Sequence, residues 1–126
     1  MATVQRTPND ISNALVLSTA QTGTGDSTNT ADRGTSVGQP AAVVITSTVG
    51  ATPTVTVNIV GSVDGTNFYN VPYALVATPE TLAVAALTIT TATTTTYLLR
   101  PNHAWRFLKL VLSANTNVTL TATAHV

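Results

Sequence analysis

Charged residues are scarce in this sequence. Five Lys and Arg and five Asp and Glu make up 8% of its 126 residues, whereas an ordinary soluble domain has about 25%. The formal net charge is zero, so the chain lacks the charge repulsion that keeps soluble monomers apart. We therefore expect an outer surface of Thr, Ser, Asn and Ala, or a surface that partner proteins cover.

Several other features are missing, and each absence excludes a class of protein. Without cysteine, the chain can form neither disulfides nor thiolate metal sites. No apolar run approaches the roughly 18 residues of a membrane-spanning helix, and no signal-peptide pattern opens the chain. A basic stripe, which nucleic-acid binding requires, is missing too. We expect no membrane partner, no nucleic-acid partner and no cofactor.

Threonine dominates what is present. The chain has 27 Thr, and this β-branched residue fits strands while placing a hydroxyl on the solvated face. Apolar and polar residues alternate in several segments, which is typical of half-buried strands. The predicted strands are residues 12–20, 41–49, 54–61, 67–76, 82–91, 93–100, 105–113 and 117–126. About seven or eight short strands predict an all-β fold, either an antiparallel β-sandwich of jelly-roll or immunoglobulin-like type or a small barrel.

The segment 54–73 is predicted to be the hairpin around which the other strands assemble. Val55, Val57 and Ile59 alternate with polar residues before the turn. Asp64 and Gly65 favour a tight connection, because Asp tolerates a left-handed backbone and Gly has no Cβ to clash. This turn chemistry accounts for Asp64 without a role as a catalytic acid.

A single domain is predicted over residues 12–126, preceded by an extended N-terminal arm at residues 1–11. Pro8 interrupts any regular structure in the arm. Residues 21–40 are rich in Gly, Ser, Thr, Asn and Asp, and they form a long polar loop that we expect to become ordered only on contact with a partner. We expect both the arm and this loop to mediate contacts between subunits.

No set of residues has the spacing of a catalytic or metal site. The two histidines, His103 and His125, lie far apart and have few carboxylates near them. Asp26 and Asp32 superficially resemble an oxygen-rich calcium loop, but the central Gly and terminal Glu of an EF-hand are missing. No nucleophile motif is present, and we expect a protein that is not an enzyme.

Basic and aromatic residues are interleaved between residues 97 and 109. Arg100, Arg106 and Lys109 lie close together with Trp105 among them, a pattern that resembles a small nucleic-acid patch. In strand geometry Arg106 and Lys109 point to opposite faces, which favours ion pairs with Asp or Glu of a neighbouring subunit instead. The residues predicted to form an inter-subunit interface are Arg6, Asp26, Asp32, Arg33, Trp105, Arg106 and Lys109.

Two stretches carry a family resemblance. IVGSVDGTNFYNV, after a Val/Thr strand, and YLLRPNHAWRFLKLVLSANTNVTLTA much later resemble a pattern of small structural proteins of tailed bacteriophages. The resemblance covers about residues 41–126. It implies a virion component, such as a head decoration (cement) protein or a small tail or neck protein, and it implies no catalytic residues. The same hairpin also occurs in carbohydrate-binding and discoidin-like β-sandwiches.

The resemblance and the low charge lead to the hypothesis of a capsid decoration protein located on the virion surface. Its expected partners are the major capsid protein and further copies of this chain, as a trimer or a dimer. The alternative is a carbohydrate-binding or other adhesive β-sandwich module of a tail or neck. The aromatic residues available to such a module are Tyr69, Tyr73, Tyr97 and Trp105.

Overall fold

The computed structural model describes residues 14–34, 41–99 and 105–125. These residues form nine β-strands that belong to one antiparallel sheet, and they contain no α-helix. The strands are β1 (Ala14–Gln21), β2 (Gly25–Asp26), β3 (Ala31–Asp32), β4 (Ala41–Ser62), β5 (Tyr69–Asn70), β6 (Tyr73–Leu75), β7 (Leu87–Ile89), β8 (Thr94–Leu99) and β9 (Phe107–His125). The predicted all-β antiparallel fold is confirmed.

Two long strands organise the sheet. β4 has 22 residues and β9 has 19, and they pair with each other in antiparallel register along almost their whole length. Both strands alternate apolar and polar residues, so one face of the pair is consistently buried. Val43 and Val57 on β4 and Leu110 and Leu120 on β9 are completely or almost completely buried on this face.

The sheet bends so that its two halves pack against each other through the same buried face. A straight strand of the length of β4 would extend about 70 Å, whereas a compact domain of this size has a radius of gyration of about 14 Å. The pairing of β4 with β9 is irregular between Val49 and Thr54, where Thr52 and Asn117 adopt left-handed φ values of 44° and 55°. Side chains from both halves of β4 and β9 belong to one hydrophobic core. The result is a sandwich-like fold made from one bent sheet.

Two predicted chain breaks are therefore wrong. Residues 50–53 were predicted to be a turn between two strands, and residues 114–116 a gap between two others. In the structure both segments lie at the bend, within the continuous strands β4 and β9. The Gly, Pro and Asn residues there do mark a change of direction, but the two strands keep their pairing through it. Asn117 Nδ2 donates to the Ala51 carbonyl at 2.6 Å and links the two strands at this point.

The bend divides the sheet into two leaves. The first leaf has the order β1, β9 (residues 118–125), β4 (residues 41–49), β8 and β6. The second leaf consists of β9 (residues 107–116) and β4 (residues 54–62), with β2 and β3 beside β9 and with β5 and β7 beside β4. These two leaves contribute most of the core, and each leaf turns its other face outward.

Strand boundaries differ from the prediction in the middle of the chain. The predicted strand at 67–76 is split, because β5 pairs with β4 in the second leaf while β6 crosses to β8 in the first leaf. Pro72 lies at the crossing point, where it has no N–H to offer to a ladder. Of the predicted strand at 82–91, only Leu87–Ile89 pairs with β4, and Ala83 forms an isolated bridge with Tyr73.

The first part of the predicted polar loop is built into the sheet. β2 and β3 both pair with β9, and Ser27 exchanges two hydrogen bonds with the backbone of Leu110, at 2.7 and 3.1 Å. The prediction considered only how little apolar area this segment could bury. Its order comes from backbone pairing and from the buried Ala31. Residues 35–40, the arm at 1–11 and Arg6 lie outside the described residues.

Candidate interaction surface

Charge is concentrated at one end of the second leaf. Seven charged residues fall in the described ranges, and all but Glu80 lie on β2, on or next to β3, in the loop after β4, or at the start of β9. We call this group the charged end: Asp26, Asp32, Arg33, Asp64, Arg106 and Lys109. The backbone N–H of Arg106 donates to the Ser62 carbonyl at 3.0 Å, which connects the loop after β4 to the start of β9.

Lys109 forms an ion pair across the sheet edge. β2 pairs with β9 so that Asp26 lies opposite Val111, which brings Lys109 Nζ within 2.8 Å of Asp26 Oδ2. The same ammonium lies 4.1 Å from the centroid of the Phe68 ring, within the range of a cation–π contact. The Lys109 side chain is largely covered, so its charge is neutralised by groups of its own chain.

Arg106 and Asp32 form a second, more exposed pair. The Arg106 guanidinium donates to both carboxylate oxygens of Asp32, at 2.9 and 3.1 Å. The hydrogen bond from Arg106, with a further one from the backbone N–H of Gly34, holds the pKa of Asp32 below its ordinary value. Because about half of each side chain is exposed, solvent screens the attraction, and the pair aligns β3 with β9 more than it stabilises the fold.

Arg33 is buried, although the sequence analysis placed it in an interface. Its exposed fraction is 5%, its Nη1 donates to the Trp105 carbonyl at 3.1 Å, and its backbone N–H donates to the Arg106 carbonyl at 2.7 Å. Burial lowers the pKa of the guanidinium, and the group ties β3 to the residues that precede β9. It therefore offers little surface to a partner.

Six of the seven predicted interface residues lie near one another, Arg6 being outside the described residues, but their charges pair differently from the prediction. Sequence reasoning expected Arg106 and Lys109 to find acidic partners on another subunit. In the structure the partners are Asp32 and Asp26 of the same chain. The sequence did contain a hint of this pairing, since two Asp residues in one segment have the charge opposite to that of Arg106 and Lys109 in another. Pairing them required knowing that β2 and β3 lie beside β9.

The loop after β4 is organised by one carboxylate. Asp64 Oδ1 accepts hydrogen bonds from the backbone N–H groups of Thr66 and Asn67, at 2.8 and 2.9 Å, and from the Ser62 hydroxyl at 2.8 Å. Its Oδ2 accepts from Asn67 Nδ2 at 2.9 Å. Gly65 has a φ of 81°, which favours glycine. The structure places Asp64 and Gly65 in the predicted turn, but the connection from β4 to β5 spans residues 63–68 and is not a tight hairpin.

Asp64 makes the stability of the protein sensitive to acid. The hydrogen bonds from the Asn67 and Thr66 backbones, then those from the Ser62 and Asn67 side chains, lower its pKa well below the ordinary 3.8. A carboxylate whose pKa is lower in the folded state than in the unfolded state stabilises the fold at pH values above the unfolded-state pKa. This stabilisation is lost as the pH falls from the unfolded-state pKa toward the folded-state pKa. We expect Asp64→Asn to lower the thermal midpoint at neutral pH, and the difference from wild type to shrink progressively below about pH 4. A difference that stayed constant with pH in a calorimetric series would contradict this role.

Two aromatic side chains contact each other at the same end of the second leaf as the charged end. Tyr69 is 61% exposed, and its ring centroid lies 6.3 Å from that of Trp105 with the planes tilted by 36°. Trp105 lies against Gly61, where a Cβ would come within 2.9 Å of its ring. Sequence reasoning selected Trp105 for the interface but not Tyr69, because nothing in the sequence shows that Tyr69 faces solvent.

The described residues contain no group of three or more His, Asp or Glu side chains placed to hold a metal ion. Asp26 is paired with Lys109, and Asp32 is paired with Arg106. His125 lies exposed at the end of β9, and His103 is outside the described residues. Within the same ranges, no helix has the length and hydropathy needed to cross a membrane.

No protein-family model, curated protein or solved structure matches the chain.

Proposed function

We propose that this chain is a non-enzymatic structural protein of a virion, a capsid decoration protein that contacts the shell with its charged end. The observation that supports the proposal most is the segregation of charge. Six of the seven described charged residues lie at one end of the second leaf, and the exposed Tyr69 lies on β5 at the same end, while the described part of the first leaf presents an almost uncharged surface. A surface that combines aromatic side chains with aligned ion pairs has the composition of a protein–protein contact.

Each part of the charged end has a separate role in such a contact. Tyrosine and tryptophan bury a large apolar area at low entropic cost and are enriched among residues that dominate binding energy. Tyr69, supported from behind by Trp105, is the side chain placed to enter a pocket on the shell. The Asp32–Arg106 pair is exposed, so it would lie at the rim and determine orientation more than affinity.

Cosedimentation with capsids tests this proposal. We expect the purified protein to bind saturably to phage heads prepared without it, and Tyr69→Ala to weaken that binding about tenfold or more. Leu82→Ala is the matched control, because Leu82 is also a large exposed side chain but lies in the segment after β6. The control is expected to bind like wild type.

Two results would count against the proposal in different ways. If the wild-type protein stays in the supernatant, the decoration role is wrong. If it binds but both variants behave alike, the decoration role stands and the charged end is not the contact.

The tilted Tyr69–Trp105 pair also supports the second candidate, a carbohydrate-binding module, because sugars stack on exposed aromatic rings. In that case the protein would bind glycans on an array, and Tyr69→Ala would abolish the signal. Binding to heads without any glycan signal would exclude this alternative.

A further inference from the structure

On the outward face of the first leaf, Val and Thr side chains form regular rows across the strands. One row of side chains crosses four strands in the order Val16, Thr123, Val44 and Thr96, and it continues to Val76 in the turn after β6. The first three neighbour relations follow from the strand register, and the Val76 N–H donates to the Thr96 carbonyl at 3.3 Å. The valines at the two ends of the row are 48% and 57% exposed.

The neighbouring rows are made of threonine. Thr46 lies between Thr121 and Thr94 in the register, and the hydroxyls of Thr46 and Thr94 are 3.1 Å apart. Thr48 lies opposite Thr119. We call this surface the threonine face, and among the described residues it contains no Asp, Glu, Lys or Arg. It comprises the outward-facing side chains of β1, β4 (residues 42–48), β8 and β9 (residues 119–125), with Val76 beside them. His125 lies at one end of the face, opposite Ala42.

The two edge strands of this leaf already have hydrogen-bonding neighbours. Asn29 donates from its backbone and its side chain to the carbonyls of Leu17 and Val16 on β1, at 2.8 and 3.1 Å. On β6, Tyr73 exchanges both backbone hydrogen bonds with Ala83, at 2.9 and 2.8 Å. Part of each edge is therefore occupied, which disfavours association by adding a strand there.

We propose that the threonine face binds the threonine face of a second copy, forming a two-fold dimer. An uncharged face cannot accept a charged partner without burying unpaired charge, so its partner must be uncharged too. Each Thr hydroxyl both donates and accepts, which makes the face complementary to itself, as a two-fold interface requires. The proposal does not depend on a virion role, because self-association needs no capsid.

The size of the face is sufficient for such a dimer. Within this leaf β1 has 8 residues, β8 has 6 and β6 has 3, and β9 and β4 contribute residues 118–125 and 41–49. At about 3.3 Å per residue and about 4.8 Å between strands, these lengths give roughly 540 Å². Specific interfaces bury about 800 Å² per partner, and about 500 Å² per partner is the practical minimum. The threonine face lies between these limits, which predicts a dimer that dissociates on dilution.

Light scattering coupled to size exclusion tests the proposal with one matched pair of variants. Thr123→Lys places a charge within the face, next to Val44 of the central strand β4, at a hydroxyl for which the structure shows no hydrogen bond. Thr88→Lys places the same charge at an exposed position of β7, in the second leaf. We expect wild type and Thr88→Lys to elute at twice the chain mass of 13.0 kDa, and Thr123→Lys to elute as a monomer, with dimerisation weakened about 100-fold or more. Circular dichroism establishes that each variant is folded.

A second measurement avoids any question of folding. Because the chain has no cysteine, Thr123→Cys and Thr88→Cys each carry a single thiol. We expect maleimide to label Cys at position 123 much more slowly at high protein concentration than after dilution, and to label position 88 equally in both. A wild-type protein that stays monomeric, a trimer that persists in Thr123→Lys, or labelling at 123 that is independent of concentration would overturn the proposal. None of these results bears on whether the protein binds phage heads.

Discussion

Leu110→Ala is expected to lower the free energy of unfolding by about 2–5 kcal/mol. Leu110 lies on β9 opposite Ile59 of β4, is 0% exposed, and belongs to the core that both leaves share. Removing its side chain leaves a cavity that the surrounding paired strands cannot close, because β9 has neighbours on both sides here. Since a domain of this kind is stable by only about 5–15 kcal/mol, the loss is a large fraction of the total.

Chemical denaturation followed by fluorescence measures this effect directly. The chain has one Trp, so the signal reports on a single site at the start of β9. Leu82→Ala is the control, since Leu82 is half exposed and its truncation should change stability by no more than about 0.5 kcal/mol. Equal losses in the two variants would show that Leu110 does not lie in a shared core.

Gly61→Ala is expected to destabilise the protein by about 1–3 kcal/mol through overpacking. A Cβ at this position would lie 2.9 Å from Trp105 Cγ and 2.9 Å from Val71 Cγ2, which is closer than carbon atoms can approach. Val71 cannot withdraw easily, because it is buried and hydrogen-bonded to Ile59 through its backbone N–H. The indole must therefore move, and Tyr69 would lose its support.

The emission spectrum of Trp105 is the specific readout for this substitution. We expect the maximum to shift to longer wavelength in folded Gly61→Ala, together with the loss of stability. Gly23→Ala is the matched control, because a Cβ there meets no atom within 4 Å and its spectrum should be unchanged. A Gly61→Ala protein with wild-type stability and emission would mean that Trp105 does not rest on Gly61.

The candidate site was predictable in its membership but not in its arrangement. Asp26, Asp32, Arg106 and Lys109 were recognisable as the few charges of a charge-poor chain, and the structure brings them together. Their pairing within one chain could not be predicted, since Asp32 and Arg106 are 74 residues apart. Tyr69 was not recognised for the interface because aromatic residues are as frequent in cores as on surfaces.

The sequence by itself determined the all-β class and the side chains that face the core. Alternation with a period of two assigns every second residue of a strand to one face, and most Val, Ile and Leu positions of β4 and β9 follow it on both sides of the bend, with Val44 and Val111 on the opposite face. The turn at Asp64 and Gly65 was also readable, because its chemistry is local: a short carboxylate that binds nearby N–H groups, followed by a residue without a Cβ.

Only the tertiary structure decided how these strands are connected. Whether residues 50–53 end a strand or bend it depends on β9, which keeps pairing with β4 on both sides of the bend. Whether residues 25–32 are a loose loop or two strands depends on the same distant partner. Local patterns identify which residues can form a ladder, but the ladder forms only when a strand far away in the sequence supplies the other half of each hydrogen bond.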